Sequence, residues 1–330
     1  MYESPFAEET VFDHSVIADE TTPQTGEVPI EELILGGHDD RSLFTKTSMV
    51  PYRWICSMQC MVKNAQYGPG RPRWKLARKA TGFLIGPSSV LTAAHNLWFS
   101  SGSRWRSFDR IIVTPGLNER DEPFGSVVAR RWLTASQWRP PQNPRQVDIP
   151  PSPWDFAVIR LNTAIGEKRF PALGNKALGS WGSSDTFVKA LRLDWLRKKK
   201  WKLFTAGYPL DKCGRMHLAN KKAIDACAQN TPGDWASTMW RSIGALERPN
   251  YPPGFILHSC DAKGGQSGSP VWYYWYDSKN KCPKRWVVGI HAGGDRQFTF
   301  PGGSRGETNY AVWIRPAVIS EVTALEARLP

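Results

Sequence analysis

The sequence predicts an all-β protein, two small barrels followed by one helix, on three observations. Short strand-like runs dominate beyond residue 32, and Gly, Pro, Asp and Asn punctuate them. A single stretch of helical period follows Pro316. Taken in order, residues 1–32 are acidic, rich in Thr and Pro, and without sustained periodicity, as in a disordered leader. The other reading of this segment is an arm docked on the basic body. Strands are expected at 52–62, 80–85, 89–93, 111–114, 126–132 and 156–161, then at 202–206, 255–258, 271–275, 286–290 and 309–314. Between the halves runs a proline-dense linker over 136–153, S-Q-W-R-P-P-Q-N-P-R-Q-V-D-I-P-P-S-P, or one just past Leu161. Proline at this density cannot sit in central strands. In the last stretch Val318, Val322, Leu325 and Leu329 share one stripe, and Pro316 suits the first turn, so this segment is read as an amphipathic helix packed on the body. The expected division is a leader at 1–32, a first barrel at 33–150, a second at 151–315 and a helix at 316–330.

The chain's 330 residues suffice for one large or two medium domains. Its net charge of +13 is unevenly spread: the first 40 residues hold eleven acids and no Lys or Arg, which leaves +24 on the rest. No run approaches the ~18 apolar residues of a membrane span. The opening M-Y-E-S-P-F-A-E-E-T has neither the basic start nor the apolar segment of a secretory signal. Six cysteines permit three disulfides. Cys56 and Cys60 in one extended strand would lie about 13 Å apart, too far to pair, so each is a buried thiol or bonds elsewhere. No two histidines are spaced as H-x-x-x-H and no cysteines as C-x-x-C, so neither a metal nor a cofactor is expected. Asp39 and Asp40 are read as charged turn residues rather than calcium ligands.

Three stretches carry groups that hydrolysis would use: S-S-V-L-T-A-A-H-N-L with His95, P-S-P-W-D-F-A-V-I-R-L with Asp155, and G-G-Q-S-G-S-P with Ser267. A serine hydroxyl is a poor nucleophile unless an imidazole removes its proton, and the imidazole needs a carboxylate on its other nitrogen. Small residues around Ser267 let the Gly265 and Ser267 N–H groups converge on an oxyanion. Each piece alone is ordinary: a turn serine, a core histidine, a strand-capping aspartate. Their order, with Asp155 60 residues after His95 and Ser267 112 residues later, is not.

In that order T-A-A-H, D-F-A-V-I-R-L and G-Q-S-G-S-P resemble the signatures of the chymotrypsin-like (trypsin-like) serine endopeptidases. G-S-P after the serine, G-G-H-D-D-R at 36–41, T-A-G-Y-P-L-D-K at 205–212 and V-V-G-I-H-A-G-G at 287–294 are similar to the glutamyl endopeptidase branch. The resemblance runs from about Leu33 to Ile319 and implies two perpendicular six-stranded β-barrels. It implies His95 as general base, Asp155 as orienting carboxylate, Ser267 as nucleophile and the Gly265 and Ser267 amides as the oxyanion hole. It also implies a primary pocket in which His291, near Gly293, contacts a glutamate side chain.

Two positions depart from the branch. Ala262 stands where its members place a hydroxyl donor, and Asp261 stands where trypsins bind Lys or Arg. Preference for Glu (or Asp) at P1 is the favoured reading, and a Lys/Arg preference through Asp261 is the alternative. Cleavage after Glu32 would expose Leu33, remove nine carboxylates and make the chain a zymogen that can process itself.

Basic runs interleaved with aromatics, R-P-R-W-K-L-A-R-K at 71–79 and R-K-K-K-W-K at 197–202, have the composition of a polyanion groove. The plainer reading is solvated loops, with the sixteen tryptophans half buried. Non-specific polyanion binding, including the chain's own acidic segment, stays open as a partner class and as a non-enzymatic function. No zinc-finger, RNA-binding or helix-turn-helix pattern points to specific nucleic-acid recognition. The expected partners are protein or peptide substrates, the expected state a monomer, and the expected location extracellular by the family's usual role. A delivered effector or a cytoplasmic protein stays open.

Overall fold

Alternating inward and outward side chains give this chain strands that curl into closed sheets. The computed structural model describes residues 34–63, 74–101, 104–140, 151–184, 201–212, 237–249, 253–277, 282–299 and 305–329. Its first strands are β1 (Ser42–Leu43), β2 (Ile55–Lys63), β3 (Trp74–Leu84), β4 (Ser89–Thr92), β5 (Trp98–Ser101), β6 (Arg104–Ser107), β7 (Arg110–Pro115), β8 (Val127–Thr134) and β9 (Ala157–Leu161). A short ribbon of β10 (Arg169–Phe170) and β11 (Lys176–Ala177) follows. The second set is β12 (Lys202–Gly207), β13 (Trp240–Pro249), β14 (Phe255–His258), β15 (Pro270–Asp277), β16 (Cys282–Thr299) and β17 (Arg305–Trp313). The helix Pro316–Arg328 ends the described chain.

Six strands close the first barrel in the order β2-β3-β4-β9-β8-β7. The second runs β13-β12-β15-β16-β17-β14 and closes by the β13–β14 pairing, with β1 added outside on β13. This is the predicted architecture of two six-stranded barrels and a terminal helix, and every expected run falls on a strand. Among the twelve barrel strands β13 is the one not expected, because the polar Ser242 is buried and Ile243 is exposed, which inverts the hydrophobic pattern. The Ser242 hydroxyl is buried because it is shared between the Asp261 N–H and the Asp40 carboxylate.

Of the two expected boundaries, at 150 and just past Leu161, the strand pairing fits the second. Asp155 and β9 follow residue 150 in sequence, yet β9 pairs with β4 and β8 and closes the first barrel, so the crossover comes after Leu161. The termini also exchange sides. Residues 34–43 lie on the second barrel through β1, and the helix packs on the first, where Arg160 Nη2 donates to the Glu326 carbonyl and Ser136 N–H to Glu321. The helix buries Val318, Val322 and Leu325, and Leu329, the fourth stripe residue, is buried just past its end.

Between the barrels the chain is sealed by aromatic rings. Trp181, in the crossover, makes edge contacts with Trp54 and Phe83 of the first barrel side and with Trp272 of the second. Such pairs contribute about 0.5–1.5 kcal/mol each beyond the area they bury. The indole N–H groups of Trp54 and Trp181 donate to the carbonyls of Leu178 and Arg285. Much of the tryptophan content is thus core: Trp54, Trp138, Trp181, Trp201, Trp240, Trp272 and Trp286 are all buried, rather than half buried as expected. Residues 71–73 and 197–200 of the two basic runs, and the segment 1–33 with Glu32 and Leu33, lie outside the described residues. Cys56, Cys60 and Cys260 are buried free thiols, so three disulfides do not form.

Candidate active site

Strand register brings the segments of His95 and Asp155 together. β4 and β9 are antiparallel with Thr92 opposite Ala157, so the chain leaving β4 faces the chain entering β9. The 3₁₀ turn Ala94–Leu97 then turns the His95 side chain onto Asp155. The His95 N–H donates to Asp155 Oδ1 at 2.9 Å, and the ring Nδ1 lies 2.6 Å from Oδ2. Asp155 is buried, and an acceptor on Nδ1 places the proton there and leaves Nε2 bare to act as a base. From behind, Arg78 Nη1 donates to the His95 carbonyl and the Cys60 thiol to the Asn96 carbonyl.

The Ser267 turn is held by its carbonyls. Gly265 has φ +93° and Gly268 φ +88°, a conformation that favours glycine. A methyl group on Gly265 would meet the Tyr208 carbonyl at 2.6 Å, and one on Gly268 would strike the Thr81 carbonyl and Thr92 hydroxyl. Thr81 Oγ1 donates to the Gly265 carbonyl at 2.8 Å and accepts from the Tyr208 N–H at 3.0 Å. The Ser267 carbonyl accepts from Asn96 Nδ2 at 2.7 Å and from the Thr81 N–H at 3.3 Å. Among the described residues, the Gly265 and Ser267 N–H groups have no acceptor within the chain. Nor is the Ser267 hydroxyl hydrogen-bonded to the His95 ring; Asn96 instead ties Ser267 to the turn that carries His95. In substrate-free enzymes such a contact is often long and tightens on binding.

Of the predicted pocket residues, His291 is buried on β16 and its Nδ1 lies 3.4 Å from Nε2 of His258, a partner that sequence reasoning missed. Burial holds His258 down to about 3, and burial together with the charges of His258 and His95 holds His291 well below its ordinary value. Both rings are therefore neutral. His258 Nδ1 has no partner, so its proton is placed on Nε2, donated to His291 Nδ1, and the remaining His291 N–H is on Nε2. A methyl group on Gly293 would meet the Tyr310 hydroxyl at 2.8 Å, and Ala262 is fully buried.

Asp261 is a correction. Both its oxygens are taken by backbone amides, Oδ1 by Leu35 N–H at 2.9 Å and Oδ2 by Asp40 N–H at 3.0 Å. Burial pushes its carboxyl up, to about 7, against these two amide bonds. Asp261 anchors residues 35–40 and is not a free partner for a substrate cation. Asp39 pairs with Arg41 and Lys212. No group of three or more His, Cys, Asp or Glu among the described residues is arranged to hold a metal ion.

The fold is that of the chymotrypsin-like serine endopeptidases, and in sequence the chain is similar to a glutamyl endopeptidase. No family model matches it. It is 24% identical over 278 residues, 84% of its length, to the glutamyl endopeptidase of Bacillus licheniformis, and spans 66% of that protein. It is 26% identical over 130 residues to the extracellular metalloprotease of Bacillus subtilis, 39% of this chain and 35% of that one. A solved Glu endopeptidase, in complex with MPD, shares the fold with a TM-score of 0.53 at 20% identity, over 89% of this chain and all of the other.

Proposed function

We propose that the protein is a serine endopeptidase that cleaves peptide bonds after glutamate through an acyl-enzyme. The observation that carries this is the doubly bonded His95–Asp155 pair, joined through Asn96 to a serine turn whose two amides have no acceptor. Asp155 holds the imidazole in the tautomer that accepts the Ser267 proton. As Ser267 Oγ bonds to the scissile carbonyl carbon, the carbonyl oxygen becomes an oxyanion for the Gly265 and Ser267 N–H groups, a stabilisation of about 3 kcal/mol per donor in other hydrolases. His95 then returns the proton to the leaving amine, and water repeats the sequence on the ester.

Two features support glutamate over lysine or arginine. A neutral His291 offers an N–H donor to a carboxylate, with its other nitrogen braced by His258. Asp261, which the Lys/Arg reading needs, is already capped by two amides. Secretion is part of the proposal, as is removal of the acidic leader before Leu33.

Labelling with an organophosphonate and digestion of a diverse peptide pool, each beside Ser267→Ala, test this reading. Labelling at Ser267 and cuts mainly after Glu are expected. Cuts after Lys or Arg would overturn the pocket assignment, and an unlabelled serine after leader removal would overturn the enzyme in favour of a binding module.

A further inference from the structure

The residue before the nucleophile, Gln266, sits between the two proposed oxyanion donors and is completely buried. Its side-chain oxygen accepts from the Lys263 N–H at 3.0 Å and from Arg41 Nη1 at 3.1 Å, while its Nε2 has no partner. Two donors on a single oxygen therefore hold this side chain, one from within the turn and one from the other end of the sequence. The Gln266 N–H closes the same turn onto the Lys263 carbonyl at 2.9 Å.

Arg41 is fitted to that task. Its guanidinium is fully buried and all five of its N–H groups are used. Asp39 takes Nε and one hydrogen of Nη2, and Asp211 takes the other hydrogen of Nη2 and one of Nη1. Two bidentate carboxylates thus fix the plane of the fork and leave one N–H, which points at Gln266. Burial would raise the Asp39 carboxyl, but the hydrogen bond and charge of Arg41 hold it well below the usual range. Asp39 is paired also with Lys212, which braces the carboxylate from outside. The same segment is tied to Asp261 by the Leu35 and Asp40 amides.

We infer that Arg41 is the positioning residue of the oxyanion turn, and that through Gln266 it keeps the Gly265 and Ser267 amides converged. The inference rests on the proposed peptidase reading, and it assigns the strap at 35–41 to transition-state geometry rather than to substrate choice. Lysine cannot replace Arg41, because a single ammonium has three donors and no plane.

The test compares Gln266→Met, which removes only the acceptor and leaves both carboxylate pairs intact, with Arg41→Lys. Expected for both is a kcat lower by about 10- to 100-fold with KM within about twofold, since only an interaction made in the transition state is lost. Affinity for a glutamyl peptide aldehyde, which forms the tetrahedral adduct, should fall by a similar factor. Native kcat in Gln266→Met, or a rise confined to KM, would overturn the inference. A second arm does not depend on activity. In a Ser267→Ala background, the amides of 264–268 should exchange with deuterium faster in both variants, while the amides of β2 and β9 keep their protection. Unchanged exchange at 264–268 would overturn the positioning role even if the native chain cleaves nothing, whereas faster exchange with an inactive native chain would retain the role and sink the peptidase reading.

Discussion

The two walls of the cleft are built by different means. On the first barrel, His95 and Asp155 meet because β4 and β9 are neighbours in register, so the strand ladder that closes the barrel also closes the pair. On the second barrel, no ladder positions Ser267. Its turn is suspended by side chains from elsewhere: Thr81 and Asn96 across the cleft, and Arg41 from the N-terminal strap. A ladder spreads its hold over many bonds, whereas a suspended turn depends on a few, so the second wall is the one that single substitutions can move. It is also the wall on which the amides of the proposed oxyanion hole must be placed within a few tenths of an ångström.

The largest expected effect falls on the first wall and is chemical. Asp155→Asn keeps both bonding positions but favours the wrong His95 tautomer, so kcat should fall by about 10⁴-fold with little change in thermal midpoint. A loss of only a few-fold would show that register, not the carboxylate, is what matters there. Thr81→Val tests the second wall. It is nearly isosteric, but it leaves the half-buried Gly265 carbonyl and the buried Tyr208 N–H without their partner. A roughly tenfold loss of kcat and a destabilisation of about 1–3 kcal/mol by urea titration are expected. Unchanged kcat beside a lost 1–3 kcal/mol would mean that the suspension is purely structural.

The smallest effect concerns acid. His258 goes from about 6.5 when unfolded to about 3 when buried, and His291 is depressed in the same direction. Below about 6.5 the unfolded chain binds protons that the native chain refuses, so these two groups make stability fall as pH drops toward 3. Asp261, raised to about 7, acts oppositely: between 7 and 3.8 the native state takes up a proton that the unfolded state does not. Two histidines against one aspartate give a net loss. His258→Phe should therefore reduce the drop in thermal midpoint between pH 7 and pH 4 by a few degrees. An undiminished drop in the variant would place the acid sensitivity elsewhere.

Particular residues show how far the sequence could be read. The strands, the terminal helix and the three motif residues were legible because each is written locally, as an alternating run, a stripe after Pro316, or a glycine-flanked serine. Asp261 kept two readings because its position in the motif matches a substrate-binding aspartate, while its partners, Leu35 and Asp40, lie more than 200 residues away. Arg41 stood in the quoted G-G-H-D-D-R without a role, since nothing local marks it as facing Gln266. His258 lies in an apolar strand and gives no signal of its own, and the boundary at 150 followed proline density rather than strand pairing.

By itself, then, the sequence determined the kinds of element and the chemical groups at hand, because side-chain period, turn residues and nucleophile motifs depend on near neighbours. Only the tertiary structure decided which strand closes which barrel, which carboxylate is spent on backbone amides, and which cation holds the serine turn. Those choices are made by hydrogen bonds between residues far apart in the chain, and a donor's partner is fixed by where the barrels bring it, not by what stands beside it.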